Sequence, residues 1–241
     1  MNIFIKELPE NEEQKRPSLD DLRGMMREKF PEAHLAQDAH RALQQGVVYK
    51  TGVPCLDDIG IGEGTVTEIA STGLSNGSGV LLASLVVKAR KQQRFIALID
   101  GIDSFDPQGL GPGACDLLLW LRCQNLEEAI KVADILLRDG NVRLVLCDLL
   151  LNPLHEQQRQ PGSVWYRLRN LAEESGVTFI VFTPQPLVNS AHLRLVLDKM
   201  LTLAAFDQTM EEIEATLKPR IGKGRNITLP ASDLERATRA S

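Results

Sequence analysis

Short, nearly continuous apolar runs alternate here with amphipathic segments about 10–15 residues long, and that alternation constrains the fold more than any other feature of the chain. Thr65–Ala70, Phe95–Asp100, Leu117–Leu121, Leu144–Asp148 and Thr178–Phe182 read as strands, with helices between them at 79–92, 125–138 and 163–175. Strands apolar on both faces must be covered on both faces, so the pattern predicts an α/β fold: a mostly parallel twisted sheet with helices on either side. Leu193–Leu197 alternates like a further strand, although Leu193, Val196, Leu197, Met200 and Leu201 also fit one helical face. A hydrophobic content of 43% over 241 residues is enough for a substantial core.

Around that core, three regions are expected. Residues 1–45 form an extension, 46–206 the core, and 207–241 a short helix with a flexible basic tail, Lys218-Pro-Arg-Ile-Gly-Lys-Gly-Arg225. Ser18 is placed to cap a helix carrying Leu22, Met26 and Phe30 on one stripe, a face that docks on the chain's own core or on a partner. No apolar run approaches a membrane span and the start lacks a signal-peptide pattern, so a cytoplasmic location is expected, with no membrane partner. Cys55, Cys115, Cys123 and Cys147 lack metal-ligand spacing, and a net charge of −5 gives no global attraction to nucleic acid.

Between the first core strand and its helix lies Ser71-Thr-Gly-Leu-Ser-Asn-Gly-Ser-Gly79, where a phosphate-binding loop would lie. A working loop reads G-x-x-x-x-G-K-[ST]: backbone N–H groups cradle phosphate, the lysine supplies charge and the hydroxyl holds Mg²⁺. Gly73, Gly77, Ser78 and Gly79 make a degenerate version, with Ser78 at the lysine position, Gly79 at the hydroxyl position and Thr72 at the first glycine. Losing one charge-assisted contact forfeits roughly 1.5–3 kcal/mol, and the metal anchor goes with the hydroxyl. No cofactor and no metal are expected.

In order and spacing, these pieces resemble the RecA recombinase core over roughly residues 50 to 200. Thr51-Gly-Val-Pro-Cys-Leu-Asp57 looks like its lead-in, Ala97-Leu-Ile-Asp-Gly-Ile-Asp-Ser-Phe-Asp-Pro107 like its second strand and turn, and Leu144-Val-Leu-Cys-Asp148 like its Walker B strand. The resemblance implies a vestigial Walker B carboxylate at Asp148, a γ-phosphate-sensing position at Gln185, and Ile102 where the family has the glutamate that polarises water. Asp103, one residue on, leaves a shifted carboxylate and a weak ATPase as a minority reading. Because phosphoryl transfer rests on positioning and charge neutralisation, these combined losses imply a degenerate, inactive ATPase. The loops matching the family's DNA-binding loops carry only Arg159 and His155 in Leu150–Gly162 and no Lys or Arg in Pro184–His192, implying weak or no direct DNA binding. Trp165 and Tyr166, nearby, are expected to pack rather than to stack bases.

A nucleotide-dead chain of this layout, with a helical extension, is similar to the ImuA family and the related SulA-like proteins. That resemblance implies an accessory protein of damage-inducible (SOS) translesion synthesis and mutagenesis, acting through protein contacts. Its implied partners are an ImuB-like inactive Y-family polymerase homologue, RecA itself and an error-prone C-family polymerase. The alternative is a SulA-like inhibitor of cell division. Leu22, Met26 and Phe30, the exposed strand edge that RecA protomers use, and the segment after Asp207 are the expected contact elements.

Overall fold

A computed structural model describes residues 47–222 apart from Leu74; Leu22, Met26, Phe30 and the rest of the extension lie outside the described residues. A hairpin of β1 (Val48–Tyr49) and β2 (Ile61–Gly62) brackets a short helix, α1 (Pro54–Ile59). Pro54 opens that helix, where its missing N–H costs nothing. The Asp57 carboxylate fixes the lead-in by accepting from the N–H groups of Thr51 (2.7 Å) and Gly52 (3.0 Å). The main sheet contains β3 (Val66–Ser71), β4 (Ile96–Asp100), β5 (Leu118–Arg122), β6 (Leu144–Asp148), β7 (Thr178–Thr183), β8 (Leu193–Leu197) and β9 (Arg220–Ile221). Its order is β5-β4-β6-β7-β3-β8-β9, parallel throughout except for β9.

Period-two side-chain alternation separates the core into two halves. Ile69, Ile96, Leu98, Leu144, Leu146, Ile180 and Phe182 face α2 (Ser78–Lys91), packing with its Leu81, Leu82 and Leu85. Val66, Ala97, Ile99, Val145, Phe179 and Val181 face the other way, onto α3 (Leu126–Asp139) and α5 (Gly162–Ser175). Trp165 belongs to that second half and is buried, which makes it packing; Tyr166 is exposed with Arg169 stacked 5.8 Å from its ring. Asn125 caps α3 by accepting from Glu128 N–H, and Gly140 closes it in the left-handed region.

The strands and long helices read from the sequence stand within a residue or two of their expected bounds, and Leu193–Leu197 is a strand. Two segments differ. Leu150–Gly162, read as a loop, contains a helix, α4 (Leu154–Arg159). It is nailed down by buried Gln157, whose amide donates to the carbonyls of Leu149 (2.8 Å) and Asn152 (2.9 Å). Arg220–Ile221, read as part of a flexible basic stretch, pairs with β8 as the edge strand β9, and Arg220 meets Asp198 at 3.1 Å. The first depends on side-chain bonds back into the preceding turn and the second on a strand more than twenty residues away, neither of which local composition reports.

Leu98 is fully buried at the centre of the α2 half of the core. Leu98→Ala is expected to cost about 2–5 kcal/mol in urea unfolding with the native circular dichroism spectrum retained; a loss under 1 kcal/mol would mean the core collapses around the gap.

Candidate functional site

Because the strands run parallel, the turns after β3, β4, β6 and β7 all gather at the C-terminal edge of the sheet, where open α/β sheets bind ligands. The structure places Gly73, Gly77, Ser78 and Gly79 together on the turn between β3 and α2. Gly77 stands just ahead of the helix with φ +88°, a conformation that favours glycine, and a Cβ there would lie 2.4 Å from Leu217 Cδ2. Ser78 is the first helical residue and Gly79 is exposed.

The interior of the turn is taken by Asn76, which is buried. Its carbonyl accepts from Ser71 Oγ at 2.6 Å and, longer, from Ser78 N–H at 3.4 Å. Its amide donates to the carbonyls of Gly73 and Leu197, both at 3.1 Å. Two backbone bonds complete the stitch to the exit of β8: Thr72 N–H to Leu197 (3.1 Å) and Leu201 N–H to Ser75 (2.7 Å). The helix α6 (Met210–Thr216) lies along α2, where buried Glu214 meets Lys88 at 3.4 Å, and the following residue, Leu217, covers Gly77. These residues do not fit a Mg²⁺-nucleotide: the helix start offers neither ammonium nor hydroxyl beyond Ser78, and one of its N–H groups already faces the Asn76 carbonyl.

Asp148 ends β6 beside Asp100, which ends β4. Asp100 is fully buried and fully used, accepting from Ser104 N–H (2.9 Å), Phe105 N–H (3.0 Å) and Trp120 Nε1 (3.1 Å). Among the described residues the Asp148 carboxylate accepts from Leu150 N–H alone, at 3.0 Å. Burial raises its carboxyl to about 6, the Leu150 bond offsets part of that, and the Asp100 charge adds to it. Gly101 sits between these two turns, donating to Asp148 O at 2.9 Å and receiving the Asn152 amide at 2.9 Å. A Cβ at Gly101 would meet Asn152 Oδ1 at 2.2 Å, so the turn admits no side chain there.

Ile102 is 38% exposed and offers no acceptor for a water proton. Asp103 is gripped by Arg122 through both oxygens, at 2.5 and 2.6 Å, and that bond holds its carboxyl below the usual range. A carboxylate so engaged is a weak base. Gln185 is half-buried, and its side chain bonds no described residue.

The most heavily bonded polar group of the region is one that sequence reasoning passed over. Glu68, in the middle of β3, is wholly buried; one oxygen accepts from Thr183 Oγ1 (2.9 Å), Leu187 N–H (2.6 Å) and Val188 N–H (2.9 Å). The other accepts from Arg194 Nε at 2.5 Å, and the same guanidinium donates to Val188 O at 2.9 Å. The loop after β7 is therefore clamped to the sheet. The signal was present, since a lone acid inside Val66-Thr-Glu-Ile69 needs a buried partner. Asn76 gave no such signal, because asparagine is ordinary in a Gly-rich turn. Among the described residues, no group of His, Cys, Asp and Glu is arranged to hold a metal, and no helix is long and apolar enough to cross a membrane.

The fold and the order of its turns define a RecA-like α/β core. In sequence the chain is similar to two proteins named Protein RecA, from Xanthomonas axonopodis pv. citri (strain 306) and Xanthomonas euvesicatoria pv. vesicatoria (strain 85-10), at 29% identity over 160 residues in each case. The match covers 63% of this chain and 46% of theirs, so the chain spans less than half the length of the curated relatives it matches. No protein-family model matches it.

The raised Asp148 carboxyl has a signed consequence for stability. A carboxyl at about 6 when folded and near 3.9 when unfolded gives stability that is fully present below about pH 4 and lost as pH rises through 6. Asp148→Asn removes the cost of the buried charge while keeping an acceptor for Leu150 N–H. The variant is expected to gain up to about 3 kcal/mol at pH 7.5 and to lose most of that advantage at pH 4 in denaturant titrations; equal stability at both pH values would show that the charge is not desolvated.

Proposed function

We propose that this chain is an ATPase-inactive, RecA-like accessory protein of a damage-inducible translesion synthesis assembly, working by protein contacts. The observation that carries the reading is a RecA-like sheet whose phosphate turn is filled by its own Asn76 while β5, among the described residues, pairs with a strand on one side only. Folds outlast their chemistry, and a core that keeps its packing without its catalytic groups keeps surfaces.

β5 is the outermost strand, a run of Leu118-Leu-Trp-Leu-Arg122 with Leu119 44% exposed. Natural edge strands are usually blunted by charge, proline or a bulge, and the single Arg122 at its end does little of that. At the opposite edge β9 has only two residues, too short to template a partner. The partner under this reading is an ImuB-like inactive Y-family polymerase homologue, with RecA and an error-prone C-family polymerase in the same assembly. The loops after β6 and β7 support weak or no direct DNA binding, since one is folded into α4 and the other is clamped by Glu68.

The test is isolation of tagged protein from DNA-damaged cells with mass spectrometry of what comes with it. The polymerase homologue or RecA is expected, and lost with Leu119→Asp at unchanged melting temperature. Recovery of a tubulin-like division protein instead would replace this reading with that of a division inhibitor. For the nucleotide half of the proposal, saturating Mg²⁺-ATP is expected to leave the melting temperature unchanged, whereas a rise of several degrees would contradict it.

A further inference from the structure

At the opposite end of the sheet from the phosphate turn, four segments converge on a cleft of about 540 Å³ lined by Tyr49, Glu63, Arg94, Phe95, Arg143 and their neighbours. Tyr49 and Glu63 come from the β1–β2 hairpin and its exit, Arg94 and Phe95 from the entry to β4, Arg143 from the entry to β6, and Gly176 from the end of α5. Phe95 is 67% exposed directly beside a fully packed strand, although the core could take an apolar side chain one residue later at Ile96.

Both arginines are exposed and neither meets a carboxylate among the described residues. Arg94 lies 5.4 Å from the Tyr49 ring centre and spends one N–H on the Lys50 carbonyl at 2.9 Å. Arg143 spends one N–H on the Ser175 carbonyl at 3.4 Å, close to the end of α5. Arg94 also bonds the Tyr49 side chain, so Arg143, with one of its five N–H donors spent, is the freer of the two. Neighbouring charged groups elsewhere on this protein are mostly paired: Lys88, Arg90, Lys91, Arg122, Lys131, Arg138, Arg167, Arg169, Arg194 and Arg220 all have carboxylate partners.

We propose that this cleft is a docking site for an acidic peptide segment of a partner protein, with its carboxylates on Arg94 and Arg143 and an apolar side chain against Phe95. The paired N–H fork of arginine fits a carboxylate, like a phosphate, in two parallel bonds. Two arginines facing one acid, Glu63, are too few cations to track a nucleic-acid backbone, which needs several. The face of Tyr49 is already covered by Arg94, leaving Phe95 alone for an apolar contact. None of Leu118–Arg122 lines this cleft, although Phe95 directly precedes Ile96, the partner of Leu118, so Arg143→Glu, on the β6 side, is the variant that separates this proposal from the β5 reading.

The experiment is fluorescence anisotropy with the full chain and a fluorescein-labelled peptide in which glutamates flank a central Leu-Phe pair. A matching peptide with glutamines in place of the glutamates, and a labelled thymidine oligonucleotide, are run alongside. The acidic peptide is expected to bind at least about tenfold more tightly than the glutamine version, with affinity falling as salt rises. Arg143→Glu is expected to reduce binding by about tenfold or more at unchanged melting temperature. Phe95→Ser, which removes an exposed side chain and is not at risk of unfolding the core, should weaken it independently. Equal binding of both peptides, no effect of Arg143→Glu and Phe95→Ser, or oligonucleotide binding that these variants abolish in place of peptide binding would each overturn the proposal.

Discussion

The Glu68–Arg194 pair at the middle of the sheet is the interaction on which the ligand edge of this molecule depends. A carboxylate with no exposure in a central strand would be ruinous if left unpaired, because taking an ion out of water costs several kcal/mol or more. Here one oxygen takes three donors and the other takes a guanidinium. Those bonds join β3 to the end of β7, to the loop that follows it and to β8. The loop after β7 is thereby held as a fixed shelf. Removing Arg194 would leave one oxygen of the buried Glu68 without its donor, and removing Glu68 would release the loop's Thr183, Leu187 and Val188 donors, so both the sheet's centre and that loop are tied to one pair.

A second stitch, built on Asn76, joins the phosphate turn to the exit of β8. In a nucleotide site the turn's N–H groups wait for phosphate oxygens; here a carboxamide supplies oxygen from within and its amide reaches across to Leu197. Lys88 and Glu214 then hold α6 along α2 so that Leu217 covers Gly77. The turn thus lacks the lysine and satisfies part of its own polar groups through Asn76. At the neighbouring strand ends Asp100 is consumed by its own turn and Asp103 by Arg122, so the carboxylates left from the sequence pattern serve the architecture.

Strands and long helices were legible because apolar runs and amphipathic spacing are local properties. Val145 and Leu146 could be assigned to a buried strand from neighbours alone, and the amphipathic run read as a helix at 125–138 stands one residue from α3. What was not legible depended on specific contacts made only in the folded chain. α4 exists because Gln157 reaches back under the turn after β6, and β9 exists because Leu195 and Val196 offer Ile221 and Arg220 an edge. The candidate site was half legible: the absent lysine and hydroxyl could be read by position, whereas the role of Asn76 and the clamp on Asp103 needed coordinates. Glu68 was the one residue whose environment was announced by its type, an acid in a run that had to be buried.

The central proposal is that the chain works through its β5 edge and not through nucleotide, and amide hydrogen exchange of the full chain tests it most directly. Exchange would be followed with the protein alone, with Mg²⁺-ATP, and with the purified polymerase homologue. The account predicts slowed exchange across Leu118–Arg122 with the homologue and no change in residues 72–91 with nucleotide. Nucleotide protection of the turn and the first part of α2, with β5 unaffected by the homologue, would contradict it.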